Sequence, residues 1–425
     1  MKTHLVQRSA VLLLSGLLAA CGQQASVPAA HYAQVLTLHL KGGETSQGLG
    51  QKYNGTVLVF KPNEHLALIA TNGLPSSLGT LGLNDHSEPN IGRIRSSAGA
   101  TIWTKAGATI WTKAGATIWT KAGATIWTKA GATIWTKGTY EPVPENTTNW
   151  SSVHLDSAQA RLARLGTGVK VAVVDTGVDL NLSFFQGSLA PASEWRDYVD
   201  GDRTPNEVGT QADHGYGHGT GIAGTILQIS PGATILPMRV LGPDGGGDVI
   251  STAQAIIDAA DLGANVINLS LGMPEVSPAI EAATLYAEGK GVVVVTSSGN
   301  DGASTLDFPA RGAADDSARL AVGSVDDQGQ ISAFSNVGAG LSVFAPGEMI
   351  YGPAPEEAGA AWSGTSQSAA VTSGAVALGL GEGAAPAAVR AALLNTVSPV
   401  HTADAAPVTG AGQLDLGAFA QVIVP

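Results

Sequence analysis

The stretch Val169-Lys170-Val171-Ala172-Val173-Val174 is apolar at almost every position rather than at alternate ones. A strand that is apolar on both faces must be covered on both faces. Three more runs read the same way: Ala264–Leu269, Val292–Val295 and Leu320–Val322. Helices are expected between them. Ser251 reads as the cap of a helix reaching Leu262, and Ser277 as the cap of one with Pro278 in its first turn, ending near Gly289. Strands alternating with helices give a central parallel sheet between two helical layers, a three-layer α/β fold. Ligand sites in such sheets lie beyond the carboxyl ends of the strands. Polar motifs stand at those ends: Asp175-Thr176-Gly177, Ser270-Leu271-Gly272 and Ser298-Gly299-Asn300. Two more motifs open expected helices, His218-Gly219-Thr220-Gly221-Ile222-Ala223-Gly224 and Gly364-Thr365-Ser366-Gln367-Ser368.

In this chain order the motifs resemble the subtilisin-like serine proteases, over roughly residues 150–425. Phe308-Pro309-Ala310, Ala345-Pro346-Gly347 and Gly410–Asp415 extend the resemblance. It implies a subtilisin-like catalytic domain over 150–425 and peptide-bond hydrolysis through an acyl-enzyme. Asp175, His218 and Ser366 are the implied triad, in the Asp, His, Ser order known for subtilisin, and Asn300 is the implied oxyanion donor. The chemistry suits these residue types. A serine hydroxyl needs an adjacent base. Much of an imidazole with an ordinary pKa is neutral at physiological pH and can accept the proton. A carboxylate behind it fixes the tautomer and stabilises the imidazolium, and an amide can donate to the developing oxyanion. The Ser366 backbone N–H, at a helix start, is a second candidate donor.

The same resemblance makes Ser270, Leu271 and Gly272 one wall of the pocket for the residue before the scissile bond. Ser298 and Gly299 belong to the other, and Gly246 to the edge that pairs with an extended substrate. Small residues in both walls suggest a roomy pocket with broad specificity for large apolar side chains. Two positions depart from the family pattern: Gln367 stands where Met is usual after the nucleophile, and Ala370 where Pro is usual.

No cofactor is needed for this chemistry and no metal ligand is assigned. Asp197, Asp200 and Asp202 could bind structural Ca²⁺, but a solvated turn is the expected reading. His214 reads as a loop residue, and Trp150, Trp195 and Trp362 as packing residues.

The front of the chain is organised differently. Lys2 and Arg8 precede a short apolar run that ends Leu18-Ala19-Ala20-Cys21, carrying the single Cys of the chain. Residues 1–21 have the pattern of a signal peptide, and their end resembles the bacterial lipobox, which implies lipidation of Cys21 and membrane contact through that lipid in an exported precursor. Residues 31–95 read as a small β-containing unit in the place of a pro-region. Residues 98–137 are five identical copies of Ala-Gly-Ala-Thr-Ile-Trp-Thr-Lys, expected to be a linker; a Trp-bearing adhesive surface is the alternative.

Net charge is −12 with pI near 5.1, which argues against nucleic acid as a partner. Protein or peptide substrates and a monomer are expected. Residues 1–137 hold 12 Lys and Arg against 4 Asp and Glu, whereas residues 138–425 hold 10 against 30. Opposite charge on the two parts favours their association before a maturation cut, expected between about 137 and 150, which would release the catalytic domain outside the cell. The competing function is a catalytically inactive protease-like lipoprotein acting through its Trp repeats.

Overall fold

The computed structural model describes residues 32–73, 81–82, 84–90, 94–96, 101–104, 143–313, 318–401 and 411–425. Residues 1–21 with Cys21, expected to be a signal peptide, and most of the repeat region lie outside these residues.

The chain begins with β1 (Gln34–His39), α1 (Ser46–Tyr53), β2 (Gly55–Lys61), β3 (Leu66–Thr71) and β4 (His86–Pro89). These strands form an antiparallel sheet in the order β2-β3-β1-β4. The twofold alternation of a strand sorts its side chains, and a register shift between Val57 and Val59 sends those two to different cores. Leu36, Leu38, Val57, Ala67 and Ile69 pack with Leu49 and Tyr53 of α1, while Val35, Val59, Leu66, Leu68 and Ala70 point into the core of the main body. Two short strands follow, β5 (Ile94–Ser96) and β6 (Thr101–Thr104).

The main body runs α2 (Thr147–Ser152), α3 (Leu155–Arg161), β7 (Lys170–Asp175), β8 (Arg196–Asp197), α4 (His218–Ile229) and β9 (Thr234–Arg239). Next come β10 (Gly246–Gly247), α5 (Val249–Asp261), β11 (Val266–Leu269), β12 (Leu271–Gly272), α6 (Pro278–Gly289) and β13 (Val293–Ser297). It ends β14 (Arg319–Val325), β15 (Val343–Pro346), β16 (Ile350–Ala354), β17 (Ala358–Trp362), α7 (Thr365–Gly381), α8 (Pro386–Asn395) and α9 (Leu416–Ile423).

Seven strands make the central sheet, in the order β15-β14-β13-β11-β7-β9-β8, and every pairing is parallel. Val171 and Val173 of β7 enter the core beneath α4 and α7, and Ala172 and Val174 enter the opposite core beneath α5 and α6. Both faces of the sheet are therefore covered, as the unbroken apolar run requires. One cap differs from the expected one. Asp248 caps α5, its side chain accepting from the Ser251 backbone N–H at 2.9 Å. Ser251 lies in the first turn and donates to the same carboxylate at 2.8 Å. Ser277 caps α6 as expected, accepting from Ile280.

The N-terminal sheet sits on α5 and α6. Lys61 makes an ion pair with Asp261. Glu88 accepts hydrogen bonds from the Ala279 backbone N–H at 2.8 Å and from the Ser277 hydroxyl at 3.0 Å, at the start of α6. One of these contacts, Lys61 with Asp261, pairs a basic residue of the front part with an acidic one of the main body. Two of the three acidic-loop carboxylates are also occupied. Asp197, fully buried, and Asp200 both pair with the guanidinium of Arg239, while Asp202 accepts from the Thr204 backbone N–H at 2.7 Å. Arg239 anchors the loop through buried Asp197, while Asp200 and Asp202 stay exposed as expected of a solvated turn.

Candidate active site

Asp175 is the last residue of β7, where the carboxyl end of a central strand delivers it into a buried setting. Its Oδ1 accepts from the Thr176 backbone N–H at 2.7 Å and from Nδ1 of His218 at 2.7 Å. His218 opens α4 behind Gly217, which adopts a φ of 84°. Donation from Nδ1 to the carboxylate makes Nε2 the nitrogen that can accept a proton. Nε2 is buried and has no hydrogen-bond partner among the described residues.

Helix α4 can approach β7 this closely because position 219 has no side chain. A Cβ there would fall 2.1 Å from the Gly177 carbonyl oxygen. The Gly219 N–H donates to the Thr176 hydroxyl at 2.9 Å, which ties the strand end to the helix start.

Ser366 is the second residue of α7, and its hydroxyl lies 3.3 Å from the Ser270 carbonyl oxygen. Ser270 in turn donates to the Ser366 carbonyl at 3.0 Å and accepts from Nδ2 of Asn268 at 2.8 Å. Helices α4 and α7 are joined one residue further on, where the Thr225 hydroxyl donates to Oε1 of Gln367 at 2.9 Å. The Trp362 ring stands edge-on to the His218 imidazole, centroids 6.3 Å apart. The Oδ1 of Asn300 accepts from both the backbone N–H and the hydroxyl of Thr365, each at 2.9 Å. This fixes the amide beside Ser366 with Nδ2 as its donating end.

The edge at Gly246 and the wall segment Leu271–Gly272 both pair with an extended strand, and the strand is the chain's own. Segment β5 pairs antiparallel with both β10 and β12, placing Arg95 opposite Gly246 and Gly272 and Ser96 opposite Leu271. The Ser96 N–H donates to the Gly245 carbonyl at 2.9 Å, and Ile94 is fully buried. Ser298 and Gly299 follow β13, with Gly299 at a φ of 108°. The first repeat copy contributes β6, which lies antiparallel to β17.

Two carboxylates were not singled out from the sequence. Glu207 is buried beneath the start of α4 and accepts from the Thr220 hydroxyl at 2.9 Å. Burial pushes its carboxyl up to about 7, with the neighbouring Asp175 charge adding to the rise. Asp307 is half-buried between Gly272 and Gly299. Glu207 sits in no recognisable motif, whereas Asp307 directly precedes Phe308-Pro309-Ala310, the one sequence signal that could have found it. Trp150 and Trp362 are buried packing residues, and His214 is an exposed loop residue. Among the described residues no group of His, Cys, Asp and Glu could hold a metal ion, and no helix is long and apolar enough to cross a membrane.

The fold is thus a parallel α/β sheet with a buried Asp–His pair at one strand end and Ser366 at the head of α7, in the same helical layer as α4. The subtilase family model matches residues 166–413. Subtilisin BL of Lederbergia lenta is 39% identical over 226 residues, covering 50% of this chain and 76% of that protein. Thermitase of Thermoactinomyces vulgaris is 37% identical over 242 residues, covering 55% and 83%. The solved structure of a cold adapted subtilisin-like serine proteinase aligns at 30% identity and a TM-score of 0.48, covering 56% of this chain and 86% of that one. The chain belongs to the subtilase family, and it is a serine endopeptidase.

Proposed function

We propose that Asp175, His218 and Ser366 are the catalytic triad and Asn300 the oxyanion donor. The observation that carries this reading is the buried 2.7 Å bond from Nδ1 of His218 to Asp175, which leaves Nε2 as the base. The Ser366 oxygen attacks the peptide carbonyl carbon while its proton passes to Nε2 of His218. Asp175 stabilises the imidazolium. The carbonyl electron pair moves onto oxygen, where Nδ2 of Asn300 and the Ser366 backbone N–H receive it. Collapse breaks the C–N bond, and His218 returns the proton to the leaving amine. Water, deprotonated by the same imidazole, then hydrolyses the acyl-enzyme and regenerates the hydroxyl.

The precursor organisation belongs to the same proposal. Residues 1–21 direct export and Cys21 carries a lipid that anchors the precursor. Residues 31–95 are a pro-region whose last strand occupies the substrate edges, residues 98–137 are a linker, and 150–425 is the catalytic domain, which acts outside the cell on proteins or peptides. The filled edges support an inhibited precursor, because a substrate strand needs the same backbone groups. Strand β5 runs from Gly272 toward Leu271, that is, toward Ser270 and Ser366. The residues that follow it are Ser97-Ala98-Gly99-Ala100, and the maturation cut is placed after the repeats, between about 137 and 150.

The test is labelling with a serine-directed fluorophosphonate. Wild type is expected to label and to digest an unstructured protein, and Ser366→Ala to do neither. Equal labelling of both would overturn the assignment.

A further inference from the structure

The position of Asp307 has a consequence for substrate choice. Its backbone N–H donates to the Ser298 carbonyl at 2.9 Å, which aligns it with one wall of the pocket. A Cβ built on Gly299 would fall 2.7 Å from its Oδ2, and one built on Gly272 would fall 3.0 Å from its Cβ. The two glycines that make the walls small therefore flank this side chain. The space that small walls would open to a large apolar group has a carboxylate at its boundary.

Among the described residues no hydrogen bond reaches the Asp307 carboxylate and no cation lies within ion-pair distance of it. The charged groups that act on it are Asp301 and Arg311. Arg311 directs its guanidinium to the Pro274 carbonyl, at 2.7 Å. The half-buried carboxylate thus lacks a partner of its own, and an uncompensated charge of this kind favours a ligand that brings the opposite one.

We propose that Asp307 is a specificity-determining residue that selects a basic side chain, arginine or lysine, immediately before the scissile bond. The inference rests on the triad and the pocket walls assigned above, and it replaces the large apolar preference expected from the walls alone. A long aliphatic stem fits between the glycines, and its cationic end reaches the carboxylate. Burial and the charge of Asp301 push the Asp307 carboxyl up to about 6, against the pull of Arg311, so it is ionised at neutral pH.

The experiment uses the activated protein and fluorogenic peptides that differ only in the residue before the cut: Arg, Lys, Phe, Leu or Glu. At pH 8 we expect kcat/KM for Arg or Lys to exceed that for Phe or Leu by roughly 10–100-fold, the range of a charge-assisted contact. Asp307→Asn and Asp307→Gly should each lower the Arg/Phe ratio by about tenfold or more, Asn keeping the shape and Gly removing it. The wild-type ratio should also fall as pH drops through about 6. A wild-type Arg/Phe ratio at or below one, with Ser366 labelled by fluorophosphonate, overturns the role of Asp307 and leaves the triad standing. Absence of labelling overturns both. An Arg/Phe ratio unchanged in Asp307→Asn overturns the role even if basic residues are preferred.

Discussion

The buried carboxyl of Glu207 ties stability to pH in a way that Glu207→Gln should remove. In the folded protein burial raises this group from an ordinary 4.5 to about 7. In the unfolded chain it titrates normally. Between these values the native state holds a proton that the unfolded state has released, so stability falls as pH rises through this window. The contribution is most favourable below about 4.5, and the full cost is reached above about 7. One pKa unit corresponds to about 1.36 kcal/mol, so a shift of this size costs about 3 kcal/mol once complete. Roughly 2.5 kcal/mol of that appears between pH 5 and pH 8. Glutamine keeps an acceptor for the Thr220 hydroxyl, bound at 2.9 Å, and never ionises. The assay is urea unfolding at pH 5, 6, 7 and 8, with Ser366→Ala in both proteins to prevent self-digestion. Groups common to both chains cancel in the difference. The parent should lose about 2.5 kcal/mol relative to Glu207→Gln over this range. A difference that stays flat with pH, or that grows in the parent's favour, refutes the reasoning.

Asn300→Ala should lower kcat by roughly 10²–10³-fold, a range that itself comes from the oxyanion asparagine of a subtilisin; steady-state kinetics with a KM little changed would check it. Gln367 is buried and bonded to Thr225, and it offers no thioether to oxidise beside the nucleophile. Activity should therefore persist in peroxide that inactivates a relative carrying Met at this position, as residual activity over time will show. N-terminal sequencing of the mature protein should place the cut between about 137 and 150, and a terminus between residues 97 and 101 would contradict a cut after the repeats. Lys61→Ala removes the ion pair with Asp261 and should weaken binding of a separately supplied 31–96 segment to the catalytic part by a few-fold or less, the scale of a partly exposed pair. Titration at low and high salt would measure it.

Most of the framework is legible in the chain itself. Short apolar runs with no alternation, rich in Val and Ile and separated by capped helical segments, fit strands covered on both sides, and Lys170–Asp175, Val266–Leu269 and Val293–Ser297 are such strands of the parallel sheet. Turn and cap chemistry marks where the chain leaves each element. The candidate nucleophile, base and carboxylate are visible because each is embedded in a local motif. The cap of α5 was displaced by three residues, because Asp248 and Ser251 both have the right chemistry and only the backbone decides which stands outside the helix.

Tertiary structure alone decided which unremarkable residues became neighbours of that chemistry. Nothing around Glu207 in sequence separates it from a surface carboxylate, and Asp307 is marked only by the Phe308-Pro309-Ala310 that follows it. Their burial comes from elements that pack over them, Glu207 by the start of α4 and Asp307 by the glycine walls. The same holds for β5, a three-residue strand whose pairing with Gly246–Gly247 and Leu271–Gly272 depends on contacts about 150 to 180 positions away. Local sequence fixes the period and ends of an element because those depend on near neighbours. Which charges lose their water, and which edges are already filled, depends on packing between segments remote in the chain.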